Sequence, residues 1–289
     1  MGFTMAVNTV NITKQTVIAT KPAVQLEADV KGNRYTILEN EKANRTWFEA
    51  TKQYLDTTNG GAFRLGQLGN RFFHLLNLVA PRQGFDNLSK MFRGMWTVTV
   101  FYRLPSVTKE GADALSDINA ALSKDRVAAV ESRALLNGVA NLTDGSSAWL
   151  YAASSVLGCF KNTVQAGLSA LRAADVITYV HDWAELIMHG EDFNKARLLA
   201  NEIANVPDAD GVKEVQDTVV YTQRFHLLKV MKAICSVAGF TLGLSLFAAG
   251  FTVAALAVTT ATISLASTLF AISASFYEDS MPYARVKFG

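Results

Sequence analysis

The longest apolar stretch of the chain is a charge-free run over residues 233–277. About 20 apolar residues in a helix cross a hydrocarbon core about 30 Å thick. A single helix over this run would be roughly 65 Å long, about twice what one crossing needs. Two helices of about 233–251 and 255–276, joined near Gly250, fit better. The pattern therefore predicts a transmembrane hairpin.

Small residues recur along both halves of this predicted hairpin. Gly239 and Gly243 form a GxxxG, a spacing that lets helix backbones approach closely. On the second helix the small residues at similar spacing are Ser264, Thr268, Ala271 and Ser275. We expect these positions to pack the helices together. The second helix is rich in Thr and Ser, so a re-entrant segment is an alternative, as is a buried hairpin in the core of a soluble protein.

The charges that flank the hairpin predict its orientation. Arg224, Lys229 and Lys232 precede it, and Arg285 and Lys287 follow it. Because basic residues concentrate on the cytoplasmic side of membranes, we expect a multi-pass protein with both termini cytosolic.

A second apolar period, over residues 62–79, comes with arginines. Basic residues beside an apolar helix face are typical of a helix that lies in the membrane interface. They are equally typical of a soluble bundle, in which the arginine stems cover apolar neighbours. The candidates for contact with a membrane surface are Phe63, Arg64, Leu68, Arg71 and Phe72.

The middle of the chain has helical periodicity with several ambiguous points. The run 97–100 alternates like a strand, and periodicity alone leaves it undecided. Residues 141–145 are predicted to form a loop, and Gly190 is predicted to end a helix. The apolar segment 146–160 is predicted to be a buried bundle helix, with a third membrane helix as the alternative.

These patterns predict a mainly α fold, a helical bundle domain followed by a C-terminal two-helix transmembrane hairpin. The expected segments are an extended or disordered N-terminus over 1–40, a cytosol-facing helical domain over 41–206, a linker and lead-in helix over 207–232, the hairpin over 233–277 and a short tail over 278–289.

Composition narrows the function classes. A net charge of +2 does not favour a nucleic-acid binder, which usually has a strongly basic face. The two cysteines, Cys159 and Cys235, lack paired spacing and are predicted to be small buried hydrophobes. We expect no nucleic-acid partner, no metal and no cofactor.

One group of residues suggests chemistry. His181, Glu185 and His189 are spaced four residues apart, so one helix face could carry all three. A di-metal bundle would need more carboxylate and histidine ligands on facing helices, which the sequence does not offer in the usual pairs. A solvated face on which Glu185 pairs with the histidines is favoured. The chain has no nucleophile motif, and we predict that it is not an enzyme.

The chain resembles the inclusion-membrane (Inc) proteins of chlamydiae. The resemblance lies in the uncharged start MGFTMAVNTVNIT and in the bilobed hydrophobic hairpin ICSVAGFTLGLSLFAAGFTVAALAVTTATISLASTLFAISASF. It implies secretion by a type III system and insertion into a pathogen vacuole membrane facing host cytosol. The expected partners are membrane lipids and a protein partner or a second copy bound through helices.

A shorter stretch, Ala62-Phe63-Arg64-Leu65-Gly66, is similar to the peroxisomal membrane-elongation proteins of the peroxin family. That resemblance implies membrane remodelling by amphipathic helices. The sequence thus favours a non-enzymatic protein that presents a helical interaction domain at a membrane. The alternative is a remodelling or pore-forming protein that uses residues 62–79 together with the hairpin.

Overall fold

The chain is mainly α-helical, as predicted. The computed structural model describes residues 7–12, 15–20, 25–30, 33–38, 51, 61–122, 129–204, 212–249, 254–280 and 285–287. The helices of the described part are α1 Phe63–Val79, α2 Gln83–Leu122, α3 Ala129–Gly158, α4 Val164–Ile203, α5 Val212–Ala249 and α6 Ala254–Ser280, with a 3₁₀ turn at Lys161–Thr163.

The six helices form a closed ring. Each helix packs against the next one along the chain, and α1 also packs against α6. The connections between consecutive helices are short, so neighbours run antiparallel. An up-and-down ring of this kind encloses a central space instead of a single layer of packed side chains.

The first two helices of the ring, α1 and α2, pack closely against each other. The Phe73 ring stacks on Phe85 and Phe92, with centroid distances of 6.3 and 5.6 Å. A Cβ added at Gly66 would lie 2.9 Å from the backbone nitrogen of Trp96. Only glycine allows the two helices to come this near.

Two local predictions inside the bundle were wrong, and the run that the pattern left undecided is helical. That run, residues 97–100, belongs to α2, which also continues through Pro105. The predicted loop at 141–145 lies inside α3, and Gly190 lies inside α4. In each case packing against neighbouring helices outweighs a weak local preference for strand, loop or helix end.

The last two helices are the apolar hairpin that the sequence predicts. Two segments are long and apolar enough to cross a membrane, Gln216–Leu244 in α5 and Ala254–Glu278 in α6. Helix α5 is continuous through Lys232, so the lead-in helix and the first hairpin helix are one element. In the apolar windows of the two segments, only 11% and 22% of the residues are buried. The core helix of a soluble protein is mostly buried, and these helices are not.

The two ends of the chain contribute strands to one antiparallel sheet. Its strands follow sequence order: β1 Val7–Ile12, β2 Gln15–Thr20, β3 Gln25–Val30, β4 Asn33–Leu38 and β5 Arg285–Lys287. The sequence analysis predicted an extended or disordered segment over residues 1–40 and a short tail over 278–289. The β-branched pattern is weak and β5 comes from the opposite end of the chain, so local signals could not reveal the sheet.

Candidate functional site

A polar cavity of about 330 Å³ lies inside the ring, and all six helices contribute to its wall. The helices α1 and α2 supply aromatic and basic groups, and α3, α4 and α5 supply ion pairs. The residues with chemical character are Phe63, Arg64 and Arg71 (α1), Trp96 and Arg103 (α2), Asp144 and Tyr151 (α3), His181, Asp182 and Glu185 (α4), Lys229, Lys232 and Ser236 (α5), and Ser267, Thr268 and Ser275 (α6).

Lys232 is the centre of the ion pairs that line this central cavity. Its ammonium donates to Asp182 Oδ1 at 2.9 Å and to Glu185 Oε2. The Ser236 hydroxyl donates to the other oxygen of Asp182, and Lys229 Nζ lies 4.0 Å from Glu185 Oε1. Burial acts to raise the pKa of Glu185, but the two ammonium groups outweigh it and hold that pKa well below its usual range. Glu185 is therefore an ionised partner of the two lysines.

Arg71 joins α1 to α6 where the ring closes. Its Nη1 donates to the carbonyl oxygen of Ser264 at 2.6 Å and to the Thr268 hydroxyl at 2.5 Å. Both acceptors are neutral. No ion pair involves Arg71 within the described residues, and the carboxylates of the cavity pair with other cations. Burial lowers the pKa of Arg71. The guanidinium thus lines the cavity without a directly bonded carboxylate, and the charges of Asp182 and Asp175 act on it only at longer range.

An aromatic wall runs along one side of the cavity. The ring centroids of Phe63 and Trp96 are 6.2 Å apart, and those of Trp96 and Tyr151 are 5.6 Å apart. The Arg103 guanidinium lies over the Phe63 ring, 4.7 Å from its centroid, and Nη2 reaches Asp144 Oδ2 at 3.4 Å. Trp96 Nε1 and Arg103 Nε are buried without a hydrogen-bond partner. These two N–H donors of cavity-lining side chains therefore have no acceptor within the described residues.

Tyr151 is held at the cavity by a carboxylate behind it. Its hydroxyl donates to Asp175 Oδ1 at 2.8 Å. Burial raises the pKa of Tyr151 strongly and also raises the pKa of Asp175. The phenol stays protonated and ties α3 to α4, which fixes the position of the aromatic wall.

Positive charge is in excess around the cavity. The basic lining residues are Arg64, Arg71, Arg103, Lys229 and Lys232, and the acidic ones are Asp144, Asp182 and Glu185. The arginines and lysines of the lining thus number five and its carboxylates three. Because each of these carboxylates lies beside Arg103 or a lysine, none of them forms an ion pair with Arg71.

A second polar group, the histidine cluster, is formed by His189, Asp192, His226 and Arg133. The guanidinium of Arg133 donates to both oxygens of Asp192 at 2.5 Å. The Nδ1 atoms of the two histidines lie 3.1 Å apart. Burial lowers the pKa of His189 to about 4, so this imidazole is neutral at pH 7. The four side chains satisfy one another.

Two sets of side chains in the described part bring potential metal ligands within 4.8 Å of one another, namely His181, Asp182 and Glu185, and His189, Asp192 and His226. In the first set, the Lys232 ammonium already bridges both carboxylates. In the second, Arg133 takes both oxygens of Asp192. A divalent cation would have to displace a basic side chain at either place, which makes both poor metal sites.

The structure divides the predicted group His181, Glu185 and His189. His181 Nε2 lies 3.7 Å from Glu185 Oε1 at the cavity, whereas His189 belongs to the histidine cluster. The expectation of a solvated face was wrong, because the side chains of His181 and Glu185 are only 17% and 14% exposed. The face packs against α5, which carries the matching lysines.

The residues predicted to pack the hairpin take different positions. A Cβ at Gly239 would lie 3.4 Å from Ile263 Cγ2, so this glycine faces α6, whereas nothing lies within 4 Å of the corresponding point at Gly243. On α6, Thr268 and Ala271 are buried. Ser264, through its carbonyl, contacts Arg71 of α1. The small residues Thr268, Ala271 and Ser275 line the cavity.

Some of the residues predicted to contact a membrane surface are buried or line the cavity, and another is exposed. Phe63 is buried, and Arg64 and Arg71 line the cavity. Leu68 is half-buried, and Phe72 is exposed. Helix α1 therefore turns its arginines inward, toward the bundle, and leaves part of its apolar side outside.

Sequence reasoning missed most of the cavity wall. Trp96 and Arg103 lie on either side of the run that the pattern leaves undecided, Asp144 lies in the predicted loop, and Tyr151 lies in the predicted buried helix. The one available signal was the occurrence of single charges and hydroxyls on otherwise apolar helices, which suggests a polar interior. Comparison with protein-family models, curated proteins and solved structures finds no match, so the function must be inferred from these residues.

Proposed function

We propose that this chain is a non-enzymatic integral membrane protein that α5 and α6 anchor in a bilayer, with the remaining helices presented at the membrane surface. One observation carries the proposal: the apolar windows of α5 and α6 are only 11% and 22% buried by the rest of the chain. Apolar surface of this extent in two neighbouring helices needs a cover, and a lipid hydrocarbon core provides one.

The surroundings of the hairpin support the same assignment. Helix α4 packs against α5 and carries an exposed apolar stripe of Val176, Val180, Trp183 and Ile187. Trp183 adjoins Asp182, which pairs with Lys232 at the end of the charge-free run. A tryptophan at the level where charges begin suits the membrane interface.

The sheet supports the proposed orientation. Strand β5 pairs with β4 near the other end of the chain, and this pairing agrees with the even number of crossings that we propose. The flanking lysines and arginines favour the cytosolic side. By its resemblance to the inclusion-membrane proteins, we propose a pathogen vacuole membrane as the location and a host or self helix as the protein partner.

The alternative is a remodelling or pore-forming protein, and a specific contact favours it. Arg71 bonds α1 to Ser264 and Thr268 of α6, so the amphipathic helix and the hairpin form one unit. If this unit inserts as a whole, the purified protein will release a dye from liposomes. An Arg71→Gln variant will then leak less than an Arg93→Gln variant, in which an exposed arginine of α2 is replaced.

The membrane proposal is tested by alkaline carbonate extraction. We expect the wild-type protein to stay in the pellet. The double variant Leu244→Lys/Leu269→Lys replaces leucines that are 50% and 48% exposed on the hairpin, and each central lysine costs about 2.5–3.5 kcal/mol of insertion free energy. We expect this variant to enter the supernatant.

The matched control is Leu122→Lys at a leucine of α2 that is 69% exposed. This variant should remain in the pellet. Release of the wild-type protein by carbonate would show that it is not integral. Protease treatment of sealed vesicles tests the orientation, because tags at both ends should be cut together.

A further inference from the structure

We infer that the central cavity is a binding site for a small organic anion, one that carries a carboxylate or phosphate group. The acceptor oxygens of such a ligand would meet Arg71, Arg103 and the indole N–H of Trp96. This inference does not depend on membrane insertion, because the cavity is lined by the helices of the ring itself.

The first argument is the charge balance. Asp182 and Glu185 are held by Lys232, and Asp144 lies beside Arg103. Arg71 bonds only neutral oxygens. Asp175 and Asp182 attract Arg71 only at longer range, and a buried cation without a directly bonded anion carries a desolvation penalty that an anionic ligand would offset. The sign of the missing group is therefore negative.

The second argument is the unused donors. Trp96 Nε1 and Arg103 Nε are buried and have no partner. An unsatisfied buried donor is costly, and proteins rarely keep one without a reason. Indole and guanidinium nitrogens only donate, so the complementary group must accept. Carboxylate and phosphate oxygens accept from both and match the planar fork of arginine.

The third argument concerns size and wall character. A cavity of about 330 Å³ lies at the lower end of small-molecule sites, which span roughly 300–1,000 Å³. The aromatic wall of Phe63, Trp96 and Tyr151 offers apolar contact next to the donors. This combination suits an organic anion with a short carbon frame better than a bare inorganic ion.

The anion has two possible sources, a free metabolite or a lipid headgroup, and the two share this chemistry. The full-length protein in neutral detergent would be titrated with succinate and with inorganic phosphate, and binding followed by thermal unfolding. The same protein would be placed in nanodiscs of phosphatidylcholine with and without phosphatidic acid. Stabilisation by the soluble anions identifies a free ligand, and stabilisation by phosphatidic acid alone identifies a headgroup.

The variants test which residues hold the anion. Arg103→Gln and Arg71→Gln should weaken binding roughly 10- to 100-fold, as expected when a charged hydrogen-bond donor is lost. Arg71→Lys should restore part of the loss. Arg93→Gln, an exposed arginine of α2, is the matched control and should bind like the wild type.

Trp96→Phe is the mildest variant, because it keeps an aromatic six-membered ring while it removes the unused N–H with the rest of the five-membered ring. We expect several-fold weaker binding than in its control, and a small loss of stability in the absence of ligand because the smaller ring fills less of the wall. Its control is Trp149→Phe, whose indole N–H bonds Thr108 at 2.8 Å outside the cavity wall. Equal binding by the two variants would overturn the assignment of Trp96.

The inference as a whole fails if none of the anions binds at about 10 mM, a concentration at which even weak sites fill. It also fails if choline stabilises the protein as well as succinate does, because a cationic ligand would then fit the cavity equally. Binding that survives Arg71→Gln and Arg103→Gln together would place the anion elsewhere on the protein.

Discussion

The central cavity and the histidine cluster are both buried polar groups that include side chains of α4 and α5, yet they differ in one respect. In the histidine cluster, Arg133 takes both oxygens of Asp192 and the two imidazoles face each other. In the cavity, cations outnumber carboxylates and two N–H donors have no partner. The polar side chains of the histidine cluster are paired within the protein, whereas we infer that those of the cavity are fully paired only when a ligand binds.

This difference teaches how to separate structural from functional polar groups in a helical interior. Charged side chains that pair with one another inside the protein hold its helices in register. Such pairs give little reason to expect a ligand. A buried polar site that contains a cavity, excess charge and hydrogen-bond donors without acceptors lowers the stability of the fold. Features of this kind are concentrated at binding sites. Three experiments break or sharpen the comparison.

The largest effect is expected at Lys232, where the cavity also has a structural role. Lys232→Met removes the ammonium that pairs with Asp182 and Glu185 and leaves two carboxylates buried. Breaking a buried pair in this way costs about 3–5 kcal/mol of the free energy of unfolding. Denaturant unfolding in detergent measures the loss.

The control is Lys90→Met, which removes an exposed i,i+4 pair with Asp86. We expect a change below about 0.5 kcal/mol there. Similar losses in the two variants would mean that Lys232 is solvated and that its ion pairs do not stabilise the ring.

The pH dependence of stability separates the two polar groups. Burial lowers the pKa of His189 to about 4 in the folded protein, below the value of about 6.5 expected in the unfolded chain. The contribution of His189 is therefore complete above pH 6.5 and is lost as the pH falls toward 4. Allowing for partial solvent contact, we expect a loss of about 2 kcal/mol.

The contribution of Glu185 in the cavity to stability is lost at a lower pH than that of His189. The pKa of Glu185 is held below its usual range, so its stabilisation persists until the pH falls below about 4.5, the region where an unfolded glutamate protonates. His189→Phe should flatten the profile between pH 6.5 and 4, and His74→Gln, at an exposed position of α1, should not. An unchanged profile in His189→Phe would show that the cluster is not buried as described.

The smallest effect on stability is expected where α1 packs against α2. Gly66→Ala would place a Cβ 2.9 Å from the Trp96 backbone and push the helices apart, at a cost of about 1–3 kcal/mol. Gly94→Ala meets nothing within 4 Å and should stabilise by about 0.4–1 kcal/mol.

Gly66→Ala should also weaken anion binding, because it moves the wall that carries Trp96. The titration of His189 should stay as in the wild type, since the histidine cluster involves α3, α4 and α5. Thermal melts with and without succinate measure stability and anion binding, and the pH profile of stability measures the titration of His189. Equal stability of the two alanine variants would contradict the close packing of α1 on α2.

The sequence by itself determined the helical class and the apolar hairpin. Both depend on local signals, namely periodicity and a run of residues without charge over 233–277. Helix ends were less well predicted. Pro105 and Gly190 lie inside helices, because contacts with neighbouring helices outweigh the local preference to stop.

Only the tertiary structure decided which polar side chains meet. Arg71 and Ser264 lie 193 residues apart, and Lys232 lies 50 residues from Asp182. A period along one helix says which side is apolar, but it does not say which helix packs against that side. The closure of α1 onto α6 brings single charges from six helices to one cavity, and no local pattern records that closure.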